Sequence, residues 1–147
     1  MKSAAQALLA LVLAAGASFA LAQDYAGIVK TVKGTATVER AGSQIALTPG
    51  AAVHQGDRIL TGSEGYVGIT MKDDTLLTLG PGSSLNLESY RFDPKTHDGN
   101  FAAYLSKGVL SVVTGLIPKA SPDAFVVRTR ISTMGVRGTE FIVEAND

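Results

Sequence analysis

The sequence predicts an all-β fold, a glycine-rich β-sandwich or roll with short β-helix-like character, in a single domain. Three observations predict it. Apolar and polar residues alternate at period 2 through the middle of the chain, with Val67, Ile69 and Met71 set against Tyr66, Gly68 and Thr70. Glycine-bearing turns interrupt these runs at short intervals. Nowhere does an i, i+3, i+4, i+7 stripe persist over three helical turns. Many short strands joined by such turns pack as a sandwich, roll or barrel. The spacing of the glycine–strand–turn units is too irregular for a true repeat.

The first 22 residues read as an export signal rather than as part of this fold. Lys2 supplies the positive start, Ala7 to Ala15 the apolar segment, and Ala20-Leu21-Ala22 the small-residue cleavage pattern, leaving Gln23 as the new N-terminus. A membrane anchor is the competing reading. The unbroken apolar run is short of the ~20 residues a span needs, and no stop-transfer charges follow it. No cysteine stands at the cleavage point to carry a lipid. Residues 23–28 form a lead-in and residues 29–147 the β domain.

Ala26 to Val32 and Thr35 to Arg40 are rich in Val, Ile and Thr and read as strands, with Gly34 as the bend between them. Ala41-Gly42-Ser43-Gln44 signals a turn, and Ile45 to Leu47 returns as a hairpin partner. Thr48-Pro49-Gly50 makes a corner, Gly56-Asp57 a turn, and Arg58 to Thr61 a short strand. Val67, Ile69 and Met71 form one inward set, and Leu77 and Leu79 continue it beyond a solvated hairpin tip at Lys72-Asp73-Asp74. Gly80-Pro81-Gly82 stops that strand, and Leu85 and Leu87 alternate with Asn86 and Glu88 in the next. Tyr90 to Asn100 reads as a polar loop, and Phe101 to Ser106 as a strand. Gly108 punctuates, Val109 to Thr114 is a β-branched strand, and Gly115 to Pro122 is a linker with two prolines. Phe125, Val127 and Ile131 then point one way, and Arg128 and Arg130 the other. In the last strand Phe141 and Val143 alternate with Glu140, Ile142 and Glu144.

Composition narrows the function. Losing Lys2 with the signal takes Lys plus Arg from 13 to 12, against 13 Asp plus Glu. A nearly neutral domain lacks the basic stripe of a nucleic-acid binder and the polybasic cluster that adsorbs to membranes. With no cysteine in an exported chain, the fold rests on core packing alone, and thiol chemistry is excluded. The only histidines, His54 and His97, lie in different loops, short of the three or four ligands of a zinc site. Asp93 and Asp98 lack the alternating carboxylate spacing of an EF-hand. No Gly-x-Ser-x-Gly elbow, phosphate loop or dinucleotide fingerprint occurs. Adjacent Asp73 and Asp74 would face opposite ways on a strand, which suits no acid–base pair. No catalytic residues, metal or cofactor are expected.

The segment Ser132 to Glu144 is the most distinctive. It sets Arg137 between Gly135 and Gly138, then enters a strand. Glycine suits a bend at φ > 0, and arginine presents a planar fork of donors. In an architectural reading, Arg128 and Arg130 face solvent while Arg137 pairs internally with Glu140 or Asp57. In a functional reading, Arg128, Arg130 or Arg137 clamps an anion or contacts a partner. A β domain of this kind also has edges to lend to an extended segment of another protein, with Val109 to Thr114 or the strand near Phe141 as candidates.

In order, the chain carries Gly56-Asp57-Arg58-Ile59-Leu60-Thr61-Gly62, Val67 to Asp74, Thr75-Leu76-Leu77-Thr78-Leu79 and Lys107-Gly108-Val109-Leu110 to Thr114-Gly115. It ends with Thr133-Met134-Gly135-Val136-Arg137-Gly138-Thr139-Glu140-Phe141. From Val29 to Val143 it resembles the FecR-type domains of bacterial cell envelopes. The resemblance implies a glycine-rich β module in the periplasm of Gram-negative bacteria, or secreted beyond the outer membrane. Its best-known members relay iron-siderophore occupancy from an outer-membrane receptor to a sigma factor, through a transmembrane helix ahead of the domain. Here the signal-like leader takes that place. Other members pair the domain with peptidoglycan-binding modules. Gly56, Asp57, Thr61, Gly62, Gly135, Arg137, Gly138, Thr139 and Phe141 are the family-motif residues, expected to be structural. The resemblance points to a non-catalytic, stand-alone interaction, scaffolding or signalling module with a periplasmic or outer-membrane protein partner. The alternative is a binder or sensor of a cell-wall glycan or a carboxylate-bearing small ligand.

Overall fold

A computed structural model of the chain describes residues 24–135 and 140–146. The described strands are β1 (Gly27–Lys33), β2 (Ala36–Arg40), β3 (Ser43–Ala46), β4 (Ala52–Val53), β5 (Arg58–Thr61) and β6 (Tyr66–Met71). They continue with β7 (Leu76–Leu79), β8 (Ser84–Phe92), β9 (Gly99–Val113), β10 (Phe125–Arg128), β11 (Thr133–Gly135) and β12 (Glu140–Ala145). A short helix α1 (Ile117–Ala120) and a 3-10 turn (Pro122–Ala124) lie in the crossover from β9 to β10. The all-β expectation holds. β1 begins at Gly27, and Ala26 is already buried, so the fold takes in part of the lead-in.

The strands form one sheet folded over on itself. Its order is β3-β2-β5-β8-β9-β7-β6-β1-β4, a path that goes out to β9 and returns. The reason is that successive strands are two halves of one ribbon. β1 and β2 are joined at Gly34-Thr35, β5 and β6 at Gly62 to Gly65, and β7 and β8 at Gly80 to Ser83. In each ribbon one half lies in a sheet of β1, β4, β6, β7 and β12, and the other in a sheet of β2, β3, β5, β8, β10 and β11. β9 crosses between the two unbroken, pairing β8 as far as Lys107 and β7 from Leu110. It bends at Gly108, where φ is +94° and an added Cβ would meet Ser83 Oγ at 2.1 Å. Only glycine fits both constraints.

The corners line up into a crease held by hydrogen bonds. Gly62 N donates to Thr35 O at 2.9 Å, Gly82 N to Gly62 O at 2.8 Å, and Gly80 N to Val109 O at 3.0 Å. Hydroxyls complete it: Thr61 Oγ1 donates to Gly80 O at 2.6 Å and accepts from Ser83 N at 2.8 Å, and Ser83 Oγ accepts from Val109 N at 2.9 Å. Backbone groups that leave the ladder at a sharp bend thus find partners instead of staying orphaned in the interior.

The core lies between the two halves. Val38, Ile59, Leu85, Leu87, Phe101 and Leu105 face Val29, Val67, Ile69, Leu77, Leu79, Leu110 and Val112. Phe101 stacks on Phe125 with ring centroids 4.2 Å apart and meets Tyr90 edge-on at 6.2 Å, the latter a favoured aromatic geometry. β10 lies parallel to the start of β9 while the other strand pairs are antiparallel. The connection that returns the chain buries Ile117 and Pro118.

The sequence reading differs from the structure at several points. The expected loop from Tyr90 to Asn100 shrinks to residues 93–98, because β8 runs on to Phe92 and β9 starts at Gly99. Tyr90 and Phe101 pair across that hairpin and face the core, while polar Arg91 and Asn100 point out. Gly108 bends a strand and does not end one. The expected linker after Gly115 contains α1. Ile131 does not share the buried face of Phe125 and Val127. β10 ends at Arg128, a turn with Thr129 N donating to Ser132 O follows, and Ile131 is 90% exposed.

Candidate functional site

The family-motif residues within the described chain are engaged internally. The turn between β4 and β5 puts Gly56 at φ +89°, with its N–H donating to Leu87 O. It also places Asp57 inside the fold, where Arg40 grips its carboxylate with a fork, Nε to Oδ1 at 2.8 Å and Nη2 to Oδ2 at 2.6 Å. His54 N donates to the same carboxylate at 2.8 Å. The hydrogen bonds it donates to Asp57 are the main reason the Arg40 guanidinium is held above its ordinary value, against the opposing effect of burial. Among the described residues the arginine partner of Asp57 is Arg40. Thr61 and Gly62 lie in the crease. Gly135 pairs with Val126 at the end of β11, and Phe141 pairs with Val112 and packs on the core. Arg137, Gly138 and Thr139 lie outside the described residues. Arg128 pairs with Glu88 on the outer face, and Arg130 is exposed in the turn beyond β10.

Asp73 overturns the expectation of a solvated hairpin tip. The tip exists, but Asp73 is 0% exposed because the β9–β10 crossover covers it. Thr75 Oγ1 donates to Asp73 Oδ2 at 2.7 Å, Tyr90 Oη to Oδ1 at 3.0 Å, and Ile117 N to Oδ2 at 3.2 Å. Leu116 N donates to Asp73 O at 2.8 Å, and Gly115 N to Thr75 Oγ1 at 3.0 Å. Burial first, and the neighbouring carboxylate second, push the Tyr90 phenol well above its usual range, so it stays a donor. These groups bind the crossover to the hairpin.

The outer face of the β1/β4/β6/β7/β9/β12 sheet presents what the interior does not use. Leu76, Val113 and Glu140 stand in one cross-strand row, and Thr78, Ser111 and Ile142 in the next but one. Leu76 is 45% exposed, Val113 37% and Ile142 66%, so a short apolar strip crosses β7, β9 and β12. Glu140 and Glu144 flank Ile142 on its own face of β12. Among the described residues β12 pairs with β9 alone, so its other edge carries unpaired backbone groups. The other edge candidate, Val109 to Thr114, is corrected: β7 and β12 flank Val109–Val113 on both sides or across the bend, and that segment has no edge to lend. An apolar residue at an outward position of a period-2 strand is the sequence signal for this strip, visible at Leu76 and Ile142.

Among the described residues no group of three or more His, Asp or Glu could hold a metal ion. His97 stacks on Phe92, and Asp98 pairs with Arg91 at 3.5 Å. No helix among them is long and apolar enough to cross a membrane.

The family model described as FecR protein matches residues 57–147. That range starts at Asp57, whereas the motif resemblance extends back to Val29. No curated protein matches the chain. A solved structure described as a cell surface anchoring domain is similar at 29% identity, over 42% of this chain and 82% of its own, with a TM-score of 0.40.

Proposed function

Because the chain belongs to the FecR protein family, we propose that it is a non-catalytic envelope module that works by protein contact, through the β12 edge and the apolar strip beside it. One observation carries this reading: Ile142, 66% exposed, sits on a strand whose outer edge is unpaired among the described residues. An extended segment that adds to β12 would gain main-chain hydrogen bonds from the edge and a side-chain contact from Ile142. A part of the partner lying over the sheet would cover Val113 and Leu76, one and two strands further in. Glu140 and Glu144 favour a segment carrying basic residues at alternate positions, since opposite charges across a strand pair stabilise it. The partner belongs to the periplasm or the outer membrane, where the signal-like leader would deliver this chain. The module serves signalling or scaffolding there.

The experiment is capture from envelope extracts with the tagged, exported chain and its Ile142→Asp variant. A specific protein should be retained by the native chain and lost by the variant, with both melting at the same temperature. Retention of nothing above control, or equal retention by the two, would contradict the proposal.

A further inference from the structure

The outer face of the second sheet is built on different chemistry. Cross-strand register lines up Gln44 on β3, Glu39 on β2, Arg58 on β5, Asn86 on β8, Tyr104 on β9 and Arg128 on β10 as one continuous row. Directly paired residues share a face, and neighbouring strands lie about 5 Å apart, so these groups form an unbroken polar line across the sheet. Its charges cancel in pairs. Arg58 Nη1 donates to Glu39 at 3.4 Å, and Arg128 is paired with Glu88, which follows Asn86 on the same face of β8. Ser84 Oγ accepts from Arg58 Nε at 3.0 Å and fixes the fork, while the Arg128 guanidinium lies 5.7 Å from the Tyr104 ring centroid.

Part of the row floors an open groove of about 680 Å³, lined by Glu39, Gln44, Arg58, Asn86 and Glu88 and walled by the β2–β3 turn. That volume falls within the range of small-ligand sites. Asn86 lines the groove with its side-chain amide, whose Oδ1 is turned into the protein and has no partner among the described residues.

This set of groups selects a ligand class. Guanidinium groups already held in ion pairs set up little net positive field, which disfavours a polyanion. What remains is a fixed array of donors, half-exposed carboxylate acceptors, an amide and an aromatic ring. Such an array suits a ligand with hydroxyls around its rim and C–H groups on its faces. The geometry points to a binding site for an uncharged, linear oligosaccharide lying along the Gln44–Arg128 row. The site is separate from the β12 strip in sheet and in residues, so it stands or falls independently of the protein contact.

The test is calorimetric titration of the exported chain with N-acetylglucosamine tetramer and cellotetraose as uncharged probes, and tetragalacturonate as the charged one. Saturable binding of an uncharged tetramer is expected, tighter than that of the uronate and nearly insensitive to salt. Tyr104→Ala, Asn86→Ala and Gln44→Ala should each weaken it about ten-fold or more, as loss of a required contact does in a polar site. Gln44 is exposed at the sheet margin, so its substitution keeps the test valid if either of the others disturbs folding. Failure of both uncharged probes to bind, tighter binding of the uronate, or binding unchanged by all three substitutions would overturn the inference.

Discussion

Two buried carboxylates show how this fold handles charge in its interior. Asp57 is neutralised by the Arg40 fork, whereas Asp73 is surrounded by neutral donors from Thr75, Tyr90 and Ile117. Arg40→Ala would strand the Asp57 carboxylate and should cost about 3 kcal/mol in chemical denaturation. That is the low end for a broken buried pair, since Arg40 keeps some solvent contact. Arg40→Lys should restore only part, because an ammonium cannot bridge both oxygens. Tyr90 adds an alkaline limit. Its folded-state value lies above the ordinary one, so its contribution is complete below the unfolded value of about 10 and is lost as pH rises beyond it. Melting followed across that range should fall more steeply in the native chain than in Tyr90→Phe. The sequence shows both aspartates plainly, but not that they are buried. Asp57's partner is 17 positions away, and Asp73 is covered by a crossover that starts some forty residues later, near Gly115.

At the scale of elements, the crease explains why glycine recurs where it does. Each ribbon must bend on the same line, and the corners there pass close to one another. Gly108→Ala combines a strained φ with a clash against Ser83 and should cost roughly 3 to 5 kcal/mol. Thr61→Val, which keeps the shape and removes the hydroxyl shared between Gly80 and Ser83, should cost about 2 kcal/mol. Equilibrium urea unfolding checks both. Period-2 patterning made β5, β6, β7 and β12 readable, because each buries one face only. It hid the ends of β8 and β9, where the outward positions are polar and the inward ones are aromatic and far apart in sequence. It also misplaced Ile131, since parity carries no information once a strand has ended.

For the molecule as a whole, folding one sheet over itself leaves two outer faces of opposite character. One carries an apolar strip that ends at the β12 edge; the other carries a polar row of paired charges. The family was readable from motifs, and those of them within the described residues are corners and internal pairs of the fold. The faces were less readable, because a row across a sheet joins residues from strands far apart in the chain. Docking of a partner at β12 is the proposal on which the functional reading depends. Site-specific photo-crosslinking tests it most directly, with benzoylphenylalanine placed at Ile142, at Leu76 and, on the opposite sheet, at Thr37. One adduct with the same envelope protein is expected from Ile142 and Leu76, and none from Thr37. An adduct from Thr37 alone, or no adduct from Ile142, would contradict the proposal.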